Sequence, residues 1–201
     1  MVMREIAVTR VLIARYEPLV GRRYAALPAF LANKKAIINV RNQDSRCFGY
    51  AILAAKLDLD HHDHVDRPSK YDGRFHEFGL DRLAYPVQLD SLEEVEQQLG
   101  VAFNVFSFFD DEGKGRYPLY LSRVDANNAI DLLYWDSHFA WIKYFGSFMR
   151  DITKHRGGVF WCKRCLCHFT LQTAYDAHKQ WCTGIEGCKT FHKMPDSKKK
   201  V

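Results

Sequence analysis

The spacing of apolar and polar positions changes several times along this chain, and each change predicts a boundary. Ile6, Val8, Val11, Leu12 and Ile13 make a short apolar element of undecided type, which Pro18 and Gly21 break. Residues 27–31 predict a brief helical turn, and residues 36–40, AIINV, a short buried strand. Asp44 and Ser45 are good N-cap residues, and the apolar, Ala-rich run Cys47–Leu57 continues from them as a helix. A polar, irregular stretch follows as far as residue 79. Helical periodicity returns at residues 89–99: Leu92, Val95 and Leu99 share a stripe, Asp90 or Ser91 caps it and Gly100 stops it. Four strand-like runs come next, at residues 102–109, 117–123, 130–135 and 138–145. Polar turns at 110–113 and 125–128 separate them, which predicts an antiparallel meander. The fold class is therefore α+β. The expected divisions are a leader over 1–35, a core over 36–150, a small unit over 158–183 and a basic tail over 184–201, with Gly157-Gly158 at the joint.

The small unit holds the most specific chemistry. It reads Cys162-x2-Cys165-x12-His178-x3-Cys182, two thiols on a knuckle and an imidazole and a third thiol one helical turn apart. That spacing suits a tetrahedral zinc ion. Phe169 and Tyr175 fall where a ββα zinc finger places its small core. The alternative is a cluster of buried cysteines without metal. A unit of about 25 residues, however, has too little core to fold without a metal or a disulfide. Cys167 is read as a non-ligand, because Cys162 and Cys165 complete the knuckle, while Cys188 and His192 are either extra ligands or tail residues. His61, His62 and His64 with Asp60 and Asp63 form a second His/Asp group, read as a metal site or as a solvated loop.

Composition narrows the function classes. Of 201 residues, 47% are hydrophobic and 14% aromatic, enough for a packed core. No apolar run approaches a membrane span, and the charged N-terminus is unlike a secretory signal. Five of the six Cys lie in residues 162–188, where metal spacing accounts for at least three of them, and no disulfide framework is read. This predicts a reducing compartment, nucleus or cytoplasm. From Arg150 onward there are 11 Lys+Arg against 4 Asp+Glu, a net +7, while the preceding residues net −2. A basic C-terminal end suggests a polyanion, with Lys163, Arg164, Lys179, Lys198, Lys199 and Lys200 as candidate nucleic-acid contacts. A solvated tail and a protein partner are the alternatives. No Gly-rich phosphate loop follows a strand.

Two resemblances add expectations. Asp44-Ser-Arg-Cys47-Phe-Gly-Tyr-Ala51-Ile, Leu99-Gly-Val-Ala-Phe-Asn-Val-Phe106 and His138-Phe139 are similar to motifs of the ovarian-tumour cysteine peptidases of the papain-like fold. The likeness covers roughly residues 36–146. It implies Cys47 as nucleophile, His138 as its general base, and backbone N–H groups around Asp44 and Cys47 as an oxyanion hole. That family commonly has Asp or Asn two residues after the His, where this chain has Ala140, and Asp136 is the nearby substitute. Taken by position alone, Cys47 is either a thiolate at a helix N-terminus or a buried structural Cys.

The second resemblance spans nearly the whole chain. It rests on Leu27-Pro-Ala-Phe-Leu-Ala-Asn-Lys-Lys-Ala-Ile-Ile-Asn-Val-Arg-Asn42, Cys47-Phe, Arg67-Pro-Ser-Lys-Tyr71, Tyr117-Pro-Leu-Tyr-Leu-Ser122, Ile130-Asp-Leu-Leu133 and the Cys/His unit. These look like a module of eukaryotic mobile-element proteins of the Polinton/Maverick type, ahead of a protein-primed family B DNA polymerase. The chain would be a free-standing or truncated copy of that module.

Three functional expectations follow: a zinc-binding accessory module contacting nucleic acid or protein, a cysteine peptidase acting on ubiquitin-like or polyprotein substrates, or an inactive peptidase fold serving as a scaffold.

Overall fold

A computed structural model describes residues 24–59, 63–108, 115–123, 129–153 and 157–182. Helix α1 is Ala29–Ala32, strand β1 is Ile37–Ile38 and helix α2 is Cys47–Leu57. Short 3₁₀ turns follow at Pro68–Lys70, Phe75–Phe78 and Leu80–Arg82. Next come α3 (Leu92–Leu99), β2 (Phe103–Phe108), β3 (Arg116–Tyr120), β4 (Ile130–Trp135), β5 (His138–Ile142) and α4 (Phe145–Phe148). The C-terminal unit is β6 (Phe160–Trp161), β7 (His168–Phe169) and α5 (Gln172–Cys182).

The class is α+β, but the sheet is not a meander. Its strand order is β1-β5-β4-β2-β3, and β2 runs parallel to β4 with Asn104 opposite Asp131. The burial of each strand decides this order. All six residues of β2 are buried, which demands cover on both faces and a central place. β3 carries Pro118, which has no N–H to give a second neighbour, and Leu119 is 38% exposed, so β3 suits the edge. Asp136 and Ser137, with φ of 44° and 57°, turn the β4–β5 hairpin in two left-handed residues.

The sheet is covered on both faces. On one, Phe103, Val105, Leu132, Tyr134 and Phe139 pack against α2. The Phe48 ring meets Phe103 and Phe139 edge-on, each at 5.3 Å. α2 is buried from Cys47 through Ala54, because the 3₁₀ turns cover the side that the sheet leaves. Its N-cap is Arg46 and not the expected Asp44 or Ser45: Asp44 Oδ1 accepts the Arg46 N–H at 3.0 Å, a turn that leads into the helix without capping it. α3 ends at Gly100, whose φ of 61° satisfies the left-handed stop.

On the other face Phe106, Phe108, Leu133, Ala140 and Ile142 pack with Leu31, Phe148 and Met149. Trp161, Val159 and Leu166 belong to this same cluster, so the C-terminal unit rests directly on the core. The Arg116 side chain is fully buried there, between the Phe30 and Phe148 rings and paired with Asp151 at 3.0 Å. Among the described residues no helix is long and apolar enough to cross a membrane.

Candidate metal centre

The Cys/His unit is built from short-range turns. The Cys162 N–H donates to Cys167 O at 2.9 Å and the Leu166 N–H to Cys162 O at 2.8 Å. Leu166 takes φ of 56°, so the chain reverses tightly after Cys165. β6 and β7 pair Phe160 with Phe169 and Trp161 with His168. On α5, His178 and Cys182 sit one turn apart and face the knuckle. Tyr175 fills the space between, against Phe160 at 6.1 Å and Phe169 at 6.0 Å, and the Phe169 ring lies 4.7 Å from that of His178.

This arrangement brings all four expected ligands together. Their donor atoms lie within 4.8 Å of one another. Cys162 Sγ is 3.6 Å from Cys182 Sγ, and Cys165 Sγ is 3.3 Å from His178 Nε2. A tetrahedral zinc ion with Zn–S near 2.3 Å and Zn–N near 2.0 Å places such neighbours about 3.5–3.8 Å apart. The four residues therefore lie close enough to hold a metal ion, and their donor set suits zinc. With all four as ligands, such a site would be closed to water and substrate, as structural zinc centres are. Burial pushes the thiols of Cys162, Cys165 and Cys182 up, and the neighbouring sulfurs add to this at Cys182. A bound dication reverses that preference and holds the thiolates.

Lys163, between the knuckle cysteines, turns inward. Its Nζ meets Asp131 Oδ2 at 2.7 Å, and Asp131 Oδ1 accepts from Asn104 Nδ2 at 3.0 Å. Burial pushes the Asp131 carboxyl up, and the Lys163 charge pulls against it. Lys163 thus joins the unit to β4 and is committed to an internal ion pair. Lys179 is likewise paired, with Asp176 at 2.8 Å. Arg164 is half-buried, and Lys198, Lys199, Lys200, Cys188 and His192 lie outside the described residues.

Compared with known proteins, this chain matches no family model, no curated protein and no solved structure. Its chemistry therefore has to be read from its own residues.

Cys47 opens α2, as expected, but is only 2% exposed, and burial pushes its thiol up against the pull of the Phe139 and Phe48 backbone N–H groups. His138 is fully buried, and its Nε2 lies 2.8 Å from Asn39 Oδ1. Asn39 Nδ2 in turn donates to Ala25 O at 2.9 Å, and Asn39 lines a groove of about 550 Å³ with Tyr24, Arg41 and His64. Ala140 is in the core beside Phe148, and Asp136 is an exposed turn residue. Asp44 is exposed and bonded to Asn42 and Arg46. Of the second His/Asp group, Asp63 and His64 are exposed outside any metal-holding cluster found among the described residues, while Asp60, His61 and His62 lie outside them.

Sequence reading missed Asn39 and Asp131. Asn39 stands in an apolar run, where a polar residue at a strand position is a signal of a buried partner. Asp131 carried the same signal, as one acid in the otherwise apolar run of β4.

Proposed function

We propose that this chain is a zinc-stabilised interaction module, with a ββα zinc finger held by Cys162, Cys165, His178 and Cys182, that engages a protein partner. The Cys3His set, with its donor atoms within 4.8 Å of one another, is the observation that carries it. Protein is favoured over nucleic acid because two of the three candidate cations within the finger are engaged at home. Lys163 bonds Asp131 and Lys179 bonds Asp176. The open positions on and before α5 are Leu171, Gln172, Thr173, Ala174, Ala177 and Gln180, none of them charged, and Leu171 is 64% exposed. Lys and Arg, the charged partners of phosphate, are absent from these positions. The mobile-element resemblance supplies a context, a module working beside a protein-primed polymerase. The test is elemental analysis with binding titrations. One zinc per chain is expected, with weak affinity for duplex and single-stranded DNA. Tight binding to either that falls steeply with salt overturns the protein form.

A second reading keeps the papain-like resemblance. Asn39 holds the His138 ring, the orienting role that Ala140 cannot play, and the sulfur of Cys47 lies against the backbone of Phe139. Because that sulfur is sealed and its thiol pushed up, the inactive-scaffold form is the better version. Labelling of Cys47 by a thiol-reactive probe is expected to be slower than that of a free thiol. Fast labelling that His138→Ala abolishes would restore the peptidase.

A further inference from the structure

α3 ends beside a small pocket of about 290 Å³. Its lining includes Glu93 and Glu96 from α3, Gly100, Val101 and Ala102 from the turn into β2, and Arg123 beyond β3. Glu96 is only 5% exposed. Its Oε1 accepts the Phe103 N–H at 2.8 Å, and its Oε2 accepts the Tyr120 hydroxyl at 2.9 Å. Both donors are neutral, and among the described residues no cationic side chain pairs with this carboxylate. A charge that deep is ordinarily matched by a counter-charge. A carboxylate offers about four acceptor sites, so the two bonds leave others for further donors.

The rest of the pocket has the same sign. The last turn of α3 holds no basic residue, so the negative end of its dipole has no cation of its own there. Glu93 adds a second carboxylate, three residues before Glu96 and on the same face of the helix. Against these stands Arg123, whose side chain is 83% exposed and reaches Glu93 at 3.6 Å. A contact that open to water contributes little. The volume lies at the small end of ligand pockets, which suits a chain of a few carbons.

We propose that this pocket binds a primary alkylammonium, with the charged end on the Glu96 carboxylate and the carbon chain against Val101 and Ala102. The site uses no residue of the Cys/His unit. An ammonium brings three donors, which the remaining acceptor sites of Glu96 and the Glu93 carboxylate can share. A free amine and the side chain of a partner's lysine carry this same group.

The test is an NMR titration of the full chain, isotope-labelled, with n-butylammonium chloride. n-Butanol is the neutral match and sodium chloride the ionic-strength control. The N–H signals of Gly100, Val101 and Ala102 should shift saturably with butylammonium and stay in place with the other two. Nα-acetyl-lysine N-methylamide distinguishes the sources: tighter binding than butylammonium points to a lysine side chain, weaker binding to a free amine. Glu96→Gln keeps an acceptor for the Phe103 N–H and removes the charge, so it should weaken butylammonium binding about tenfold. Arg123→Glu, at an exposed position, exchanges the opposing cation for a carboxylate and should tighten binding about threefold. This second variant decides the matter even where Glu96→Gln does not fold. No shift with butylammonium, equal shifts with butanol, or unchanged affinity in Arg123→Glu overturns the proposal.

Discussion

At the scale of single residues, the most informative side chain in the core is a tyrosine. Tyr71 is fully buried and donates its hydroxyl to Val65 O at 2.7 Å. Burial, with a smaller contribution from the Asp66 charge, pushes its pKa up to about 12. An unfolded tyrosine ionises near pH 10. The folded state therefore binds the proton more tightly than the unfolded one. Its contribution to stability is complete below about pH 10 and is lost as pH rises toward about 12. Tyr71→Phe should cost about 1–2 kcal/mol at neutral pH, because Val65 O loses its donor. It should also flatten part of the alkaline fall in stability, leaving the shares due to Tyr50, which burial likewise pushes up to about 12, and to Tyr85 and Tyr120, whose hydroxyls burial also pushes up. Urea titrations on both sides of that window check this, and an unchanged alkaline slope in the variant would refute it. The candidate metal ligands, by contrast, were legible in the sequence residue by residue, and the structure brings their donor atoms within 4.8 Å of one another. A zinc site is fixed by donor type and local spacing, both of which survive without knowledge of the fold. Asn39 was not legible as the partner of His138, because a hydrogen bond between residues 39 and 138 depends on which strands meet.

At the scale of elements, the same division separates α2 from the sheet. An unbroken apolar run with few β-branched residues states its helix locally, and Cys47–Leu57 has the bounds its sequence predicts. The parallel pairing of β2 with β4 is stated nowhere locally. It follows from competition among strands for the covered central place, which β2 and β4 win by burial and β3 loses through Pro118. α2 also hides a close approach. A methyl group at Gly49 would lie 2.5 Å from both the Phe75 ring and the Tyr85 hydroxyl. Gly49→Ala in an open helix would gain about 1 kcal/mol of propensity. Here overpacking costs about 1–3 kcal/mol, and Phe75, 7% exposed, has little room to move. The variant should therefore be destabilised by up to about 2 kcal/mol, as thermal or urea unfolding would show. A more stable Gly49→Ala would mean that the 3₁₀ turns are not seated on α2 in solution.

At the scale of the whole molecule, the Cys/His unit shares an apolar cluster and an ion pair with the core. Trp161, 8% exposed, sits in the same apolar cluster as Phe106 and Phe148, and Lys163 ties the knuckle to Asp131 on β4. Whatever the docked unit gives the core by covering that face, the core returns as zinc affinity, because the two equilibria are linked. Lys163 is not a ligand, yet Lys163→Met should weaken zinc binding. It leaves Asp131, 8% exposed on its side chain, without its cation. Breaking a buried pair on one side costs about 3–5 kcal/mol, and the partial exposure of Lys163 reduces that to about 1–3 kcal/mol, a fall of up to about a hundredfold in affinity. The double variant Asp131→Asn, Lys163→Met should recover most of the loss, since no charge is then stranded. Competition titration against a zinc chelator reads the affinities, and Trp fluorescence reads the docking, with chelation shifting it to the red as Trp161 meets water. Equal zinc affinity in all three proteins would mean that the finger folds independently and that the core is only its neighbour.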